Sequence, residues 1–131
     1  MKVTLVGIPV LDQDKALQFY TEILDFDVKK NQTLEGGNKW ITLISKEDPK
    51  GPEILLEPSP IHFATSKAYQ DALFEAGIPY TQLEVVDVDV EYDRPVNPGV
   101  EFSVKPTVYE TTKYAIFNDT CGNYIQIVEP M

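Results

Sequence analysis

Apolar and polar positions alternate with a period of two at the start of the chain. In "VTLVGIPV" (3–10), Val6, Ile8 and Val10 alternate with Leu5, Gly7 and Pro9, which predicts a strand. The period then lengthens. Asp12 or Asp14 is placed to cap a helix over 12–24, in which Ala16, Leu17, Tyr20, Ile23 and Leu24 recur at helical spacing. "FDVKK" returns to extended structure, and "KWITLISK" and "PEILLEPS" read as two strands separated by the turn-forming "EDPKGP". A second helix is predicted over 65–76, with Thr65 or Ser66 as its cap, Ala68, Tyr69, Ala72, Leu73 and Ala76 as its apolar side, and Gly77 as its stop. Beyond Pro79, "YTQLEVVDVD" is a strand and "VEYDR" a short helix broken by Pro95. Three more strands follow, "VEFSVKP", "TKYAIFND" and "NYIQIVE".

This order repeats. A shift of 75 residues lays "LVGIPVLDQD" (5–14) over "YTQLEVVDVD" (80–89), and a slightly smaller one lays "WITLI" over "YAIFN". Each half reads strand, helix, three strands. The expected fold is α+β: a single domain, 1–131, of two βαβββ modules at about 1–60 and 78–131, joined by the helix at 65–76. If Val6, Ile8 and Val10 pack under the first helix, then Leu5, Gly7 and Pro9 face the other way, and by the repeat so do Tyr80, Gln82 and Glu84. Alternation sends Trp40, Thr42, Leu55, Glu57, Tyr114, Tyr124 and Gln126 to that same inner side. Aromatic rings with a few placed polar groups are the usual lining of a small-molecule site, and rings beside carboxylates suit a cation.

Charge narrows the ligand. Acidic residues outnumber basic ones 21 to 11, a net charge of −10, which disfavours nucleic acid and anionic membrane surfaces as partners. The single cysteine, Cys121, excludes an internal disulfide framework and fits a reducing cytoplasm. No stretch approaches the roughly 20 apolar residues of a membrane span, and "MKVTLVGIPV" lacks the features of a signal peptide. Cys121 in "DTCGN" has no histidine placed to activate it and reads as a turn residue. His62, the only histidine, is expected in a loop as a surface or helix-entry residue, and "DVDVEYD" lacks the glycine and terminal glutamate of a calcium loop.

The segments "IPVLDQDKALQFYTEILDFDV", "AGIP", "PGVEF" and "NDTCGNYIQI", in this order, make the chain similar to the vicinal oxygen chelate superfamily of glyoxalases, bleomycin-resistance proteins and extradiol dioxygenases. The resemblance covers nearly the whole chain; Asp25 departs from it, standing where the family usually has glycine. It implies paired βαβββ modules whose curved mixed sheets surround a cavity, often in a homodimer. Enzymatic members hold a divalent metal on equivalent strands of the two modules. Those positions carry over to Leu5, Tyr80, Glu57 and Gln126, and only Glu57 is a typical ligand. The expectation is therefore a cofactor-free, metal-independent small-molecule-binding protein of the bleomycin-resistance type, for sequestration or sensing of a cationic or aromatic ligand. Its expected ligand-binding residues are Trp40, Glu57, Tyr80, Gln82, Glu84, Tyr114, Tyr124 and Gln126. The alternative is a glyoxalase-like lyase or dioxygenase-like oxidoreductase, with a displaced or partner-completed divalent metal site or with Glu57 as general base.

Overall fold

The computed structural model describes residues 1–94 and 97–131, so the break expected at Pro95 lies outside the described residues. Two compact units divide the chain, Met1–Tyr69 and Gln70–Met131. Eight strands occur among the described residues, four in each of two sheets.

In the first unit β1 (Leu5–Val10) leads into α1 (Gln13–Gln18), whose last turn widens into a π-helical turn over Phe19–Ile23. Asp12 rather than Asp14 is the cap: its backbone is extended and its carboxylate accepts from Lys15 N at 3.0 Å. β2 (Asp27–Thr33), β3 (Lys39–Ile44) and β4 (Glu53–Pro58) complete a sheet of order β1-β4-β3-β2, with β1 parallel to β4 and the other pairings antiparallel. Ile8, Val10, Ile41, Leu43, Ile54 and Leu56 are buried on one face, and Ala16, Phe19 and Tyr20 are buried on the helix that contacts β3 and β4. Val6, expected in this layer, lies at the strand's open beginning and stays 42 % exposed. Gln13 locks α1 to the sheet: its amide nitrogen donates to the carbonyls of Lys39 and Leu56, and its oxygen accepts from Lys39 N. The short α2 (Ser59–His62) follows, with buried Ser59 donating to the Val10 carbonyl at 3.2 Å.

α3 (Ala64–Glu75) begins one residue earlier than expected, so Thr65 and Ser66 lie inside it and neither is its cap. Its packed side also differs from the expected one. Tyr69 is exposed, as are Ala68, Ala72 and Ala76, whereas the polar Gln70 is buried and Phe74, one turn on, stacks flat on Tyr124 at 4.5 Å between ring centroids. Gln70 is buried because it has partners: its amide nitrogen donates to the Cys121 carbonyl and to Asn123 Oδ1. Gly77 ends the helix at φ +70°, where a side chain would be strained, while Gly77 N and Ile78 N donate back to the Phe74 and Leu73 carbonyls.

The second unit repeats the first in sequence order and in topology. β5 (Thr81–Glu84), α4 (Val88–Tyr92), β6 (Phe102–Tyr109), β7 (Thr112–Asn118) and β8 (Tyr124–Pro130) give the sheet order β5-β8-β7-β6, again with the first and last strands parallel. Asp87, at the position matching Asp12 in the repeat, caps α4 by accepting from Val90 N at 3.0 Å. Val88, Ala115, Phe117, Ile125 and Ile127 form the buried layer. Lys113 pairs with Asp89 and so ties β7 to α4; that hydrogen bond holds the lysine above its ordinary value of 10.5 against the opposing effect of desolvation.

Asp25 has φ +64°, the left-handed conformation that glycine adopts without strain, and its carboxylate holds Lys46 at 2.6 Å. Asp25→Val is expected to lower unfolding stability by ~1–2 kcal/mol, the cost of a β-branched residue in that region, whereas Asp25→Gly should match or exceed the parent. Urea denaturation of the two variants checks this.

Candidate functional site

One face of each sheet carries its helix, so strand register decides what the other face presents. In the second unit, Gln82 and Glu84 of β5 pair with Gln126 and Val128 of β8, which pair in turn with Ile116 and Tyr114 of β7. These six residues, with Tyr109, Thr112 and Pro130, line an open recess of about 630 Å³. Ile116 and Val128 are buried and make an apolar floor. Gln126 Nε2 donates to Gln82 Oε1 at 2.8 Å across the β8–β5 pairing. Glu84 is exposed at one end of the recess, and Tyr114 is half-buried.

Four of the eight expected ligand-binding residues thus meet in one recess: Gln82, Glu84, Tyr114 and Gln126. Tyr124 lies on the same strand face, but its ring is covered by Phe74. Tyr80 precedes β5, half-buried, and its backbone N–H donates to the Tyr124 carbonyl. Trp40 and Glu57 belong to the first unit. There the Thr42–Leu55 pairing places them on a shared face, each two residues along its strand from that pair. The lining residues that sequence reasoning missed are Tyr109, Thr112, Val128 and Pro130, with Ile116. All but Tyr109 could have been found by extending the alternation from Tyr114 and Gln126 along β7 and β8.

Glu57 is held over β1. Its side chain is 27 % exposed, and a Cβ built on Gly7 would meet Glu57 Oε1 at 2.7 Å, so the missing side chain of Gly7 is what lets the carboxylate lie there. His62, placed in α2 rather than in a loop, is about half exposed and brings Nε2 to 3.7 Å from Glu57 Oε2, too long for a hydrogen bond.

Register corrects one carried-over position. Gly7 pairs with Leu55 and Thr42 also pairs with Leu55; Gln82 pairs with Gln126 and Ile116 also pairs with Gln126. Leu55 is therefore the counterpart of Gln126, and Glu57 is the counterpart of Val128. The equivalence of Glu57 with Gln126 was a two-residue slip, which keeps the same face and so leaves the alternation unchanged. The corrected pair, Leu55 and Gln126, joins Leu5 and Tyr80 as four positions without a carboxylate or imidazole. Among the described residues no three His, Cys, Asp or Glu side chains come together in a group that could hold a metal ion. The donor set does not fit the divalent cation of the enzymatic relatives.

The "NDTCGN" turn is structural. Buried Asp119 accepts from Cys121 N, Asn123 N and Asn123 Nδ2 at 2.7, 3.0 and 2.8 Å, while Thr120 and Gly122 both take positive φ. Cys121 is completely buried beside it.

The model of the Glyoxalase/Bleomycin resistance protein/Dioxygenase superfamily matches residues 2–127. The uncharacterized protein YurT of Bacillus subtilis (strain 168) is 45 % identical over 129 residues, covering 98 % of this chain and 99 % of YurT. Among solved structures, UcmS2 is 31 % identical with a TM-score of 0.81 over 98 % of both chains. TnmS3, an antibiotic binding protein from Streptomyces sp. CB03234, is 25 % identical with a TM-score of 0.74, over 100 % of this chain and 97 % of TnmS3.

Because three charge-assisted hydrogen bonds converge on one buried carboxylate, Asp119→Ala is expected to cost about 3 kcal/mol or more. Ellman's reagent should label Cys121 slowly in the native parent and at the full free-thiol rate in denaturant or in Asp119→Ala near its midpoint. Rapid native labelling of the parent would mean that the thiol is accessible after all.

Proposed function

Since the chain belongs to the Glyoxalase/Bleomycin resistance protein/Dioxygenase superfamily, we propose that it is a metal-independent member that binds a small aromatic or cationic molecule for sequestration or sensing. The observation that carries this reading is the recess on the second sheet, where an apolar floor of Ile116 and Val128 is bordered by Tyr109, Tyr114, a bonded amide pair and Glu84. Likeness to TnmS3 supports a binding role for this fold, and the donor set at the family's ligand positions supports independence from metal.

The binding chemistry follows from the residues. Tyrosine rings present negative faces to a cation, each contact contributing ~0.5–1 kcal/mol where water has access. Glu84 adds a carboxylate at the rim, and the net charge of −10 raises the local concentration of cations and lowers that of anions. Glu57 on the first unit's face is a second acidic position for a cationic group. The protein is proposed to act as a homodimer in the cytoplasm, consistent with its acidic composition and its single buried cysteine. No helix among the described residues is long and apolar enough to cross a membrane.

Elemental analysis of protein purified without chelator should give a substoichiometric content of zinc, nickel, manganese and iron. A thermal-shift screen should return cationic aromatic compounds whose shifts are the same with and without divalent ions. Glu84→Gln should weaken such a compound by roughly three- to tenfold and leave a neutral aromatic one nearly unchanged. Stoichiometric metal, or hits confined to phosphates and carboxylates, would overturn the proposal.

A further inference from the structure

The amide pair at the centre of the recess carries more chemical information than its aromatic border. Gln82 and Gln126 are register partners on parallel strands, and a single 2.8 Å hydrogen bond joins Gln126 Nε2 to Gln82 Oε1. Each amide has a carbonyl and an NH₂ group. With one donor and one acceptor used on each other, the pair presents the Gln82 NH₂ as a donor and the Gln126 carbonyl as an acceptor, neither with another side-chain partner among the described residues. Exchanging oxygen and nitrogen in both amides reverses the bond and leaves the same result, one donor beside one acceptor. The pattern of one donor beside one acceptor is therefore the same in both bonded orientations of the pair, which differ only in which glutamine plays which part.

From this we infer that the recess recognises a planar ligand through a cyclic-amide edge, an adjacent N–H and C=O of the lactam or imide type. The inference rests on the reading of the recess as the ligand site and names the class of ligand it takes. The N–H of such an edge donates to the glutamine carbonyl left free, and its carbonyl accepts from the NH₂ group of the other glutamine. The buried floor of Ile116 and Val128 suits the flat apolar body behind that edge, and Tyr114 borders it. A carboxylate ligand would lack the donor and would meet Glu84, two residues from Gln82 on the same strand face. An apolar ring without the edge would leave both glutamine groups facing it unsatisfied.

The test uses 2-quinolone, which has a lactam edge, and N-methyl-2-quinolone, which has the same ring but no N–H. Binding to the full chain is followed by protein NMR titration. The parent should bind 2-quinolone about tenfold or more tighter than its N-methyl analogue. In the orientation shown, Gln126→Leu removes the acceptor of the N–H that only 2-quinolone carries and should reduce that ratio below about threefold, whereas Gln82→Leu removes the donor to the carbonyl that both probes carry and should weaken both; with both amides exchanged the two variants trade these effects. Gln82 is exposed and Gln126 half-buried, and melting curves check that each variant folds; Gln82→Glu, which replaces the donor by an acceptor at equal size, gives a second reading. Equal binding of the two probes by the parent, or a ratio retained in both variants, overturns the inference. If cationic aromatics bind in the recess while the two quinolones are not distinguished, this inference alone fails. If nothing aromatic binds there at all, the ligand-site reading fails with it.

Discussion

In each module one face of a four-stranded sheet is committed to a helix, and this commitment decides everything on the other face. The helix α1 buries Ala16, Phe19 and Tyr20, and the paired strands supply Ile8, Val10, Ile41, Leu43, Ile54 and Leu56 as the apolar partner layer. Because side chains alternate, a slip of one residue in any pairing would expose that layer, so the register is held at a cost of many kcal/mol. The residues left on the opposite face are then fixed in place whatever their chemistry. Evolution of a binding surface becomes a matter of substituting side chains on a scaffold whose positions are already determined.

The repeat works at the level of this constraint more than at the level of identity. Asp12 and Asp87 cap the two helices through the same bond, to Lys15 N and Val90 N, and both sheets run in the same order with their first and last strands parallel. The exposed faces have diverged: Gly7 and Leu55 in one module stand where Gln82 and Gln126 stand in the other. In the first, the absent side chain of Gly7 admits the Glu57 carboxylate; in the second, two amides bond to each other. The same backbone thus supports an acidic position in one module and a neutral hydrogen-bonding pair in the other.

The strands, both helices and the inner-face pattern were legible from period and punctuation, because Gly77 and the aspartate caps act locally and alternation is a local property. What could not be read was set by distant partners. Gln70 is buried because a turn 51 residues away offers Cys121 O and Asn123 Oδ1, so a helix read by hydrophobicity alone shows the wrong side. Tyr124 has the right parity for the recess, yet Phe74 covers it. Glu57 was set against Gln126 because two similar strand sequences can be laid over each other at more than one offset, and only the hydrogen-bonded register selects Leu55. Of the recess itself, sequence supplied Gln82, Glu84, Tyr114 and Gln126; the position of Tyr109 at the end of β6 depends on the pairing with Thr112.

The central claim is that the ligand face of the second sheet, and no metal, is the working part of this protein. Isotope-edited NMR of the full chain during titration with a cationic aromatic compound tests it most directly, run first with chelator and then with a divalent ion in excess of it. The account predicts that the largest shifts fall on the side-chain amides of Gln82 and Gln126 and on the backbone around Tyr114 and Glu84. Shifts that appear only after a divalent ion is added, or that gather on residues of the helix-bearing face, would contradict it.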